Sequence, residues 1–390
     1  MSEWQQRKFG ELYSVPSRNG VSKPSRVRGN GYKMINMGEL FSNDRIYDID
    51  MELVPLTGSE KEKAKVEEGD LLFARQSLVA SGAGKCSIVM KTSDLTVFES
   101  HLIRVRLNQK VADSMFYYYY FRSSSSPMRL IVEHCVQAGI KASDLEKLIV
   151  KVPPIEEQKK IAGVFSKIDA KIELNKKVNE NLLEQAEAVF NKFYDASTNR
   201  RPFTTMINVL GGGTPKTGNS EFWGGPIPFF TPKDVGTPYT FQTEKYITEF
   251  GLKHCNSRLY PKDTTFVTAR GTVGKISLAG SPMAMNQSCY ALASETIDPL
   301  LVYFYVLKAV TSLKHKASGA VFDAIVTRDF DGEIINILSD ADSESALSII
   351  KPMMEAIHNN SSENMRLSTV GDALLPKLMS GEIDVSELDL

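Results

Sequence analysis

Cysteine and histidine are scarce in this chain of 390 residues, which has four of the first and five of the second. The cysteines show no paired C-x-x-C spacing, so we expect reduced thiols in a cytosolic protein. His134-Cys135 and His254-Cys255 are adjacent pairs, but neither has the further ligands that a zinc site needs. The sequence therefore predicts neither disulfides nor a metal centre. The four cysteines are Cys86, Cys135, Cys255 and Cys289.

Long hydrophobic runs are also missing. The richest apolar stretches, 115–121 and 299–307, are far shorter than the roughly 18 residues of a membrane span, and we interpret both as buried helices. The N-terminus lacks a basic region followed by an apolar one, which argues against secretion. We expect a cytoplasmic protein without a membrane partner.

The motifs of common catalytic and cofactor sites are absent or incomplete. "SGAGKC" and "RGTVGKI" suggest a phosphate-binding loop, yet both lack its first glycine and the Ser or Thr after the lysine. No G-x-G-x-x-G follows a predicted strand, and no G-x-S-x-G occurs. We therefore expect a non-catalytic chain that binds no cofactor itself.

Net charge is close to zero but unevenly distributed. Lys and Arg outnumber Asp and Glu by 21 to 18 in residues 1–150 and by 14 to 11 in 200–335, and the two balance at 8 each in 151–199. In 336–390 the ratio is 3 to 10, with Glu382, Asp384, Glu387 and Asp389 near the end. The small basic excess permits nucleic-acid binding but does not identify it.

A heptad stripe runs along the segment "KIELNKKVNENL" and its neighbours. Steps of four and three residues meet apolar side chains at every position except Asn175 and Asn179, which favours a coiled-coil seam. The alternative is an amphipathic helix on a globular core, which carries a wider apolar face. The stripe comprises Ile161, Phe165, Ile168, Ile172, Asn175, Asn179, Leu182, Ala186, Val189 and Phe193.

The same stripe recurs 185 residues later with both asparagines, now Asn360 and Asn364, so the chain is an internal repeat. Upstream the offset becomes 195, which places Ala74-Arg75 on Ala269-Arg270 and the run 32–35 on 227–230. The second stripe comprises Ala346, Ile350, Met353, Ile357, Asn360, Asn364, Leu367, Gly371, Leu374 and Leu378.

The repeat predicts an α+β protein made of two mixed domains, each followed by a long helix. Runs such as "DLLFAR" and "TTFVTAR" have strand composition between turn residues, and the region 115–130 is helical in character. Pro352 lies within the segment that carries the second stripe, so we expect that helix to begin near 350 and to be shorter than the first. The predicted segments are a first domain at 1–150, a central helix at 151–197, a second domain at 198–337, and a C-terminal helix and tail at 338–390.

Cations on loops at twin positions are the candidate DNA contacts. Arg75 and Arg270 end matching strands, and each is followed by a Gly-Lys within ten residues. Such loops are suited to present cations to phosphates or a guanidinium to a guanine edge. The loops "RVRGNGYK" and "GGGTPKTGNSEFWGG" combine glycine, cations and an aromatic. The alternative is that all are solvated turns. The full set of candidates is Arg26, Arg28, Lys33, Arg75, Lys85, Lys216, Trp223, Lys233, Arg270 and Lys275.

The sequence resembles the specificity (S) subunits of type I restriction-modification systems. The resemblance rests on "VPPIEEQKKIAGVFSKIDAKIELNKKVNENL", "LLPKLMSGEI", "GGGTPKTGNSEFWGGPIPFFTPKD" and "ARGTVGKI", and it spans the chain. It implies two target recognition domains that each read half of a split site in double-stranded DNA, joined by an antiparallel coiled coil. It also implies two methyltransferase subunits with S-adenosylmethionine, and motor-nuclease subunits with ATP and Mg²⁺. The Pro153-Pro154-x-x-Glu157-Gln158 motif has no equivalent at 338–343.

Antiparallel pairing gives the asparagines a role. Asn175 can face Asn364 and Asn179 can face Asn360, so that buried amides satisfy one another and a slipped register leaves them unpaired. A helix of about 40 residues, about 60 Å long, can hold two domains on successive faces of a duplex. Three alternatives stay open: a stand-alone DNA-binding regulator, the recognition subunit of a methyltransferase-only system, and an autonomous enzyme, for which the sequence offers no catalytic cluster.

Overall fold

A computed structural model describes residues 4–77, 82–132, 139–316 and 324–385. The chain divides into two compact units: unit 1 is residues 1–170 with 368–390, and unit 2 is residues 171–367. His134, Cys135, Glu387 and Asp389, singled out above, lie outside the described residues.

Unit 1 contains two sheets and a strand pair. The larger sheet has the order β2-β9-β6-β7-β4 and the smaller β5-β3-β8, while β1 pairs antiparallel with β10. The strands are β1 Gln5–Lys8, β2 Tyr13–Asn19, β3 Tyr32–Ile35, β4 Arg45–Ile46, β5 Glu52–Val54, β6 Leu71–Ala74, β7 Cys86–Val89, β8 Thr96–Phe98, β9 Leu102–Leu107 and β10 Ile149–Val152.

Five short α-helices within the described ranges accompany these sheets, and one long helix follows them in the chain. They are α1 Met37–Ser42, α2 Gly58–Ala64, α3 Ser114–Arg122, α4 Met128–Val132, α5 Ala142–Lys147 and α6 Ile155–Ala196. The helical region predicted at 115–130 is thus two helices, separated by residues 123–127. Pro127 explains the break, because the residue before a proline avoids helical angles.

Unit 2 repeats this arrangement. Its strands are β11 Arg200–Pro202, β12 Asn208–Gly211, β13 Trp223–Phe230, β14 Tyr239–Thr240, β15 Lys245–Ile247, β16 Thr265–Thr268, β17 Ile276–Ala279, β18 Ala284–Met285, β19 Cys289–Ala293 and β20 Ile334–Asn336. Its shorter helices are α7 Phe203–Met206, α8 Glu249–Lys253, α9 Pro299–Lys316 and α10 Thr327–Asp331. The second long helix is α11 Asp340–Ser380, of which residues 340–367 belong to unit 2.

Strand for strand, the two units have one topology. The sheets of unit 2 have the orders β12-β19-β16-β17-β14 and β15-β13-β18, and β11 pairs with β20. Adding ten to each strand number of unit 1 gives these orders. The parallel pairs correspond as well, β4 with β7 and β14 with β17. The internal repeat predicted from the sequence is therefore confirmed at the level of hydrogen-bonded sheets.

The aromatic helices α3 and α9 form the centre of each core. In α3, Phe116 and Tyr117 are fully buried, and in α9 Phe304 and Tyr305 are 1% exposed. These are the apolar runs that the sequence assigns to buried helices. No helix in the described ranges is long and apolar enough to cross a membrane.

The buried face of the long helices is a narrow seam at the asparagines and becomes broader where the helices pack on a globular core. Asn175 and Asn179 are buried at the predicted seam positions. Toward the core of unit 2, however, Phe190 and Met354 are the fully buried residues in place of the predicted Val189 and Met353, which are only partly buried. A helix that packs on a globular core uses a broader face than a coiled-coil seam, so both interpretations apply, each to part of the helix.

The prediction that the second helix begins near 350 is wrong. Helix α11 begins at Asp340 and has 41 residues against 42 in α6. Ser339 caps it, since its Oγ accepts a hydrogen bond from the Asp342 N–H at 3.1 Å and its carbonyl accepts one from Ser343 N–H at 2.8 Å. The helix continues through Pro352 because Ile350 and Met354, on either side, are fully buried in the core. That burial offsets the roughly 3 kcal/mol that an internal proline costs.

Candidate nucleic-acid interface

The ends of several strands of unit 2 meet at a groove of about 360 Å³. It lies beyond the ends of β13, β16 and β18 and the beginnings of β15 and β19. Three of its side chains are exposed cations, Lys233, Lys245 and Arg270. The remaining lining residues are Thr231, Pro232, Glu244, Gly271, Asn286 and Ser288.

Most of the positive charge of this groove is free to meet an anion. Arg270 makes no side-chain hydrogen bond or ion pair with any described residue. Lys233 approaches the Glu244 carboxylate at 3.5 Å, but both side chains are more than half exposed, so the pair is weak. Loop backbone and hydroxyl groups beside these cations match the mixture of contacts that proteins make to DNA phosphates and base edges.

Lys245 is a groove residue that the sequence analysis missed. Its Nζ lies 5.6 Å from the centre of the Trp223 ring, which itself packs edge-on against Phe229 at 5.5 Å. The Trp223 Nε1–H donates to the backbone carbonyl of Lys216 at 3.3 Å, which ties the "GGGTPKTG" loop to the same strand. Lys245 pairs with Phe229 across β13 and β15, and this register cannot be read from one sequence.

Lys275 lies on the β16–β17 turn that Arg270 opens. The turn is fixed by hydrogen bonds from Gly274 N–H to the Thr268 carbonyl at 2.8 Å and from Lys275 N–H to Thr268 Oγ1 at 3.0 Å. Gly274 has φ +72°, a left-handed value that suits glycine. The side chain of Lys275 is exposed and has no partner among the described residues. It extends the basic surface beside the groove.

The predicted twin relation of Arg75 and Arg270 is off by one residue. Arg75 N–H donates to the His101 carbonyl at 2.8 Å, and the matching bond in unit 2 runs from Ala269 to Ser288. Likewise Ile140 N–H donates to the Arg75 carbonyl, whereas Ile325 N–H donates to that of Ala269. Arg75 therefore corresponds to Ala269, and Gln76 corresponds to Arg270. The offset of 195 holds at β3 and β13 but falls to 194 at β6 and β16. The Ala-Arg dipeptide that occurs at both 74–75 and 269–270 conceals this shift in the sequence.

In unit 1, two of the predicted cations of the 26–33 loop form ion pairs with carboxylates. Arg28 pairs with Glu52 at 2.7 Å. Lys33 pairs with Asp48 at 2.5 Å and with Asp94 at 3.0 Å. The hydrogen bonds that Lys33 donates to these two carboxylates raise its pKa. The hydrogen bond from Lys33, helped by Ser93, lowers the pKa of Asp48.

Lys85 is also neutralised, unlike its twin Lys275. Its Nζ contacts the Asp44 carboxylate at 3.1 Å and donates to the Phe41 carbonyl at 2.7 Å. Burial acts to raise the pKa of Asp44, but hydrogen bonds and charge from Arg122 and Lys85 outweigh it and hold that pKa below its usual value. Backbone bonds place Pro238 where unit 1 has Asp44: Ile88 N–H donates to Asp44, and Leu278 N–H to Pro238. Unit 2 thus lacks the carboxylate that occupies Lys85.

Two predicted cations of unit 1 remain available. Arg26 is exposed on the short turn Ser25–Val27, and Arg75 is half-buried at the end of β6. Neither side chain has a hydrogen bond or ion pair within the described part of the chain. The candidate interface is therefore weighted toward unit 2, where Lys216, Arg270 and Lys275 are all exposed and without a charged partner in the described ranges.

The described residues offer little for covalent or metal chemistry. No group of three or more His, Cys, Asp or Glu side chains in these ranges is placed to hold a metal ion. Burial raises the pKa of the Cys86 thiol, and it raises that of Cys289 to about 12. A thiol in that state is a poor nucleophile at neutral pH.

Comparison with known proteins gives this arrangement a family. The model of the type I restriction modification DNA specificity domain matches residues 1–184 and again 204–364, one match for each copy of the repeat. The chain belongs to this family. Its members are the DNA-recognition subunits of type I restriction-modification enzymes, which work in complexes.

Individual relatives agree with this membership. The specificity subunit of the type I restriction enzyme HindI from Haemophilus influenzae is 21% identical over 98% of this chain and all of its own length. That of MjaIX from Methanocaldococcus jannaschii is 28% identical over 42% of this chain, which spans 39% of that protein. The crystal structure of the S subunit of a type I system from M. genitalium superposes with a TM-score of 0.59 at 15% identity, covering 96% of each chain. At that identity the superposition establishes the shared fold.

Proposed function

We propose that this specificity subunit reads a split, asymmetric DNA sequence, one half with the sheet domain of each unit. The observation that carries the proposal is the repeated topology. The same fold occurs twice in the chain, and the loops at the ends of its strands carry different side chains in the two copies. Unit 2 presents Arg270 on a loop and Lys245, at the beginning of β15, against the Trp223 ring. Unit 1 presents Arg26 and Arg75. Different side chains on equal scaffolds read different bases, and phosphate contacts from the cations hold each domain in register.

The helices α6 and α11 serve as the scaffold of the complex. Each has part of its length in unit 1 and part in unit 2. Their exposed faces are the docking surface for two methyltransferase subunits, which bring S-adenosylmethionine for adenine methylation. Motor-nuclease subunits with ATP and Mg²⁺ complete the restriction complex.

Long-read detection of modified bases in the host genome, with this gene intact and deleted, tests the function. We expect methyladenine to vanish from one split, asymmetric motif upon deletion. An unchanged methylation map contradicts the proposal and favours a stand-alone DNA-binding regulator. Exchanging residues 1–150 for those of a relative then tests the division of labour, since only one half of the motif should change.

A further inference from the structure

A buried glutamine side chain in unit 1 lies in a cradle of backbone groups that binds a carboxamide. Gln158 is fully buried at the beginning of α6. Its Oε1 accepts from the Asp113 N–H at 2.8 Å, and its Nε2 donates to the carbonyls of Val111 at 3.0 Å and Pro153 at 2.8 Å. The carboxamide thus satisfies one backbone donor and two backbone acceptors, of which the Pro153 carbonyl is buried and the other two groups are partly buried.

Unit 2 has the same backbone cradle without the glutamine. The offset of 185 places Asp298, Thr296 and Leu338 on the three cradle residues, and Ser343 on Gln158. Hydrogen bonds confirm this register, since Ser343 N–H donates to the Ser339 carbonyl as Gln158 N–H does to that of Pro154. Within the described part of unit 2, the Asp298 N–H and the Thr296 and Leu338 carbonyls form no hydrogen bond. The short side chain of Ser343 does not reach them.

A groove of about 850 Å³ lies over these three groups. It is larger than one side chain needs, and it falls within the range of sites that hold a short peptide or a ligand. Its apolar walls include Leu301 and Leu347. Asp340 and Glu344 at the rim are exposed carboxylates without an ion pair to any described residue, whereas Asp298 is paired with Lys351 at 2.8 Å. The rim therefore favours a positively charged ligand.

We propose that this groove binds a partner protein segment that presents a glutamine side chain next to basic residues, with its carboxamide taking the place that Gln158 takes in unit 1. On the function proposed above, that partner is a methyltransferase subunit. Only unit 2 offers the open cradle, because Gln158 fills the equivalent one. The two methyltransferase subunits accordingly make unequal contacts with this chain.

Saturation-transfer NMR on the full chain tests the groove itself, with acetyl-Lys-Gln-Lys-amide as the probe and acetyl-Lys-Met-Lys-amide as the matched control. We expect the glutamine peptide to bind at least about tenfold more tightly, since methionine leaves the cradle groups unpaired. Ser343→Gln should abolish this preference, and Glu344→Lys should weaken binding of both peptides. Ser345→Gln, on the same helix but outside the groove, should change nothing. Equal binding of the two peptides to the wild-type chain overturns the proposal.

Native mass spectrometry of the assembled complex tests the partner. We expect Ser343→Gln to release one of two methyltransferase subunits at concentrations where the wild type and Ser345→Gln retain both. If Ser343→Gln retains both subunits as the wild type does, the assignment to this partner is wrong. A wild-type chain that binds no methyltransferase subunit contradicts the proposed function instead, and the peptide preference still decides whether the groove is a glutamine site.

Discussion

Asn175 donates a hydrogen bond from its Nδ2 to Oδ1 of Asn364 over 2.8 Å, in the middle of the helix pair. The same amide also donates to the Glu363 carboxylate at 2.8 Å, and this bond, with Lys171, lowers the pKa of Glu363. At the next position of the seam, the Asn360 Nδ2 donates to the Asn179 Oδ1 at 2.9 Å. These are the two pairs expected for antiparallel helices, and each amide has a partner. That the asparagines set the register stays a prediction.

Replacing both Asn175 and Asn364 by leucine tests that role. We expect an unchanged or higher melting temperature, since the buried amide of Asn175 and the half-buried amide of Asn364 become apolar contacts, together with pairing in more than one register. Disulfide trapping between single cysteines placed along α6 and α11 would reveal the registers. Leucine at exposed Asn181 is the control. A double variant that is markedly less stable yet uniquely paired would contradict the role.

The single variant Asn175→Leu should behave differently from the double variant. It leaves the amide of Asn364 facing a hydrocarbon, which costs about 1–3 kcal/mol of unfolding free energy. Chemical denaturation of the single and double variants measures the difference. If both lose the same stability, the two amides do not depend on each other.

Gln158→Leu should destabilise the chain strongly. The change leaves the buried Pro153 carbonyl and the partly buried Asp113 N–H and Val111 carbonyl without partners, so we expect a loss of about 3 kcal/mol in unfolding free energy at about 1 kcal/mol for each group. Gln185→Leu, at an exposed position of the same helix, should stay within about 0.5 kcal/mol of the wild type. Urea denaturation compares the two. A small loss for Gln158→Leu would mean that the three backbone groups find other partners.

Much of the fold could be predicted because it depends on periodicity. The repeat, the buried helices α3 and α9, and the asparagine positions all follow from spacing along the chain. The beginning of α11 could have been found as well, since Ser339 and Asp342 have the spacing of a capping pair. Pro352 favours a later beginning, but the cap at Ser339 decides where the helix begins. Burial on both sides of a proline depends on tertiary packing, which spacing does not show.

The candidate interface was less predictable, because charge on a loop matters only when it is unpaired. Lys85 and Lys275 follow a Gly in equivalent turns, yet Asp44 pairs with the first and the second has Pro238 in that place. The carboxylate lies just before β4, about 40 residues earlier in the sequence, and long-range pairing of β4 with β7 brings it to Lys85. The one-residue shift between Arg75 and Arg270 has a similar origin, since only backbone hydrogen bonds define the register.

Arg270→Ala should weaken DNA binding. The loss should be the same for all sequences if the contact is to a phosphate, and should depend on one half-site if the contact is to a base. If Arg270 contacts a phosphate, the slope of log affinity against log salt falls by about 0.9. If it contacts a guanine edge, about 1–3 kcal/mol of discrimination at one base pair is lost. Fluorescence anisotropy with the purified complex and its cognate duplex, at several salt concentrations, separates the two. Lys262→Ala, which alters an exposed lysine before the opposite end of β16, should leave affinity, site preference and salt dependence unchanged. The same null result for Arg270→Ala would remove Arg270 from the interface.

Asp44→Asn should increase the affinity for DNA, because it releases a cation that the fold now neutralises. The Asp44 carboxylate contacts both Lys85 and Arg122, the latter at 2.6 Å. Its lowered pKa means that it is ionised at neutral pH, and that its stabilising pairs are lost only as the pH falls through that lowered value. With asparagine in its place, Lys85 loses its carboxylate partner and keeps the contact with Phe41, so its positive charge is no longer neutralised. We expect tighter binding and a salt slope steeper by about 0.9 if Lys85 reaches one phosphate.

Two further variants separate this local effect from net charge and from loss of structure. Asp50→Asn removes an exposed carboxylate from the same unit and adds the same net charge, so it should raise affinity much less. Asp44→Asn with Lys85→Met should return to wild-type affinity if Lys85 is the released cation. A thermal melt of each variant shows whether the lost Arg122 pair has weakened the fold. If Asp44→Asn folds normally and binds DNA no more tightly than Asp50→Asn, Lys85 does not face the duplex, and the basic surface of unit 1 reduces to Arg26 and Arg75.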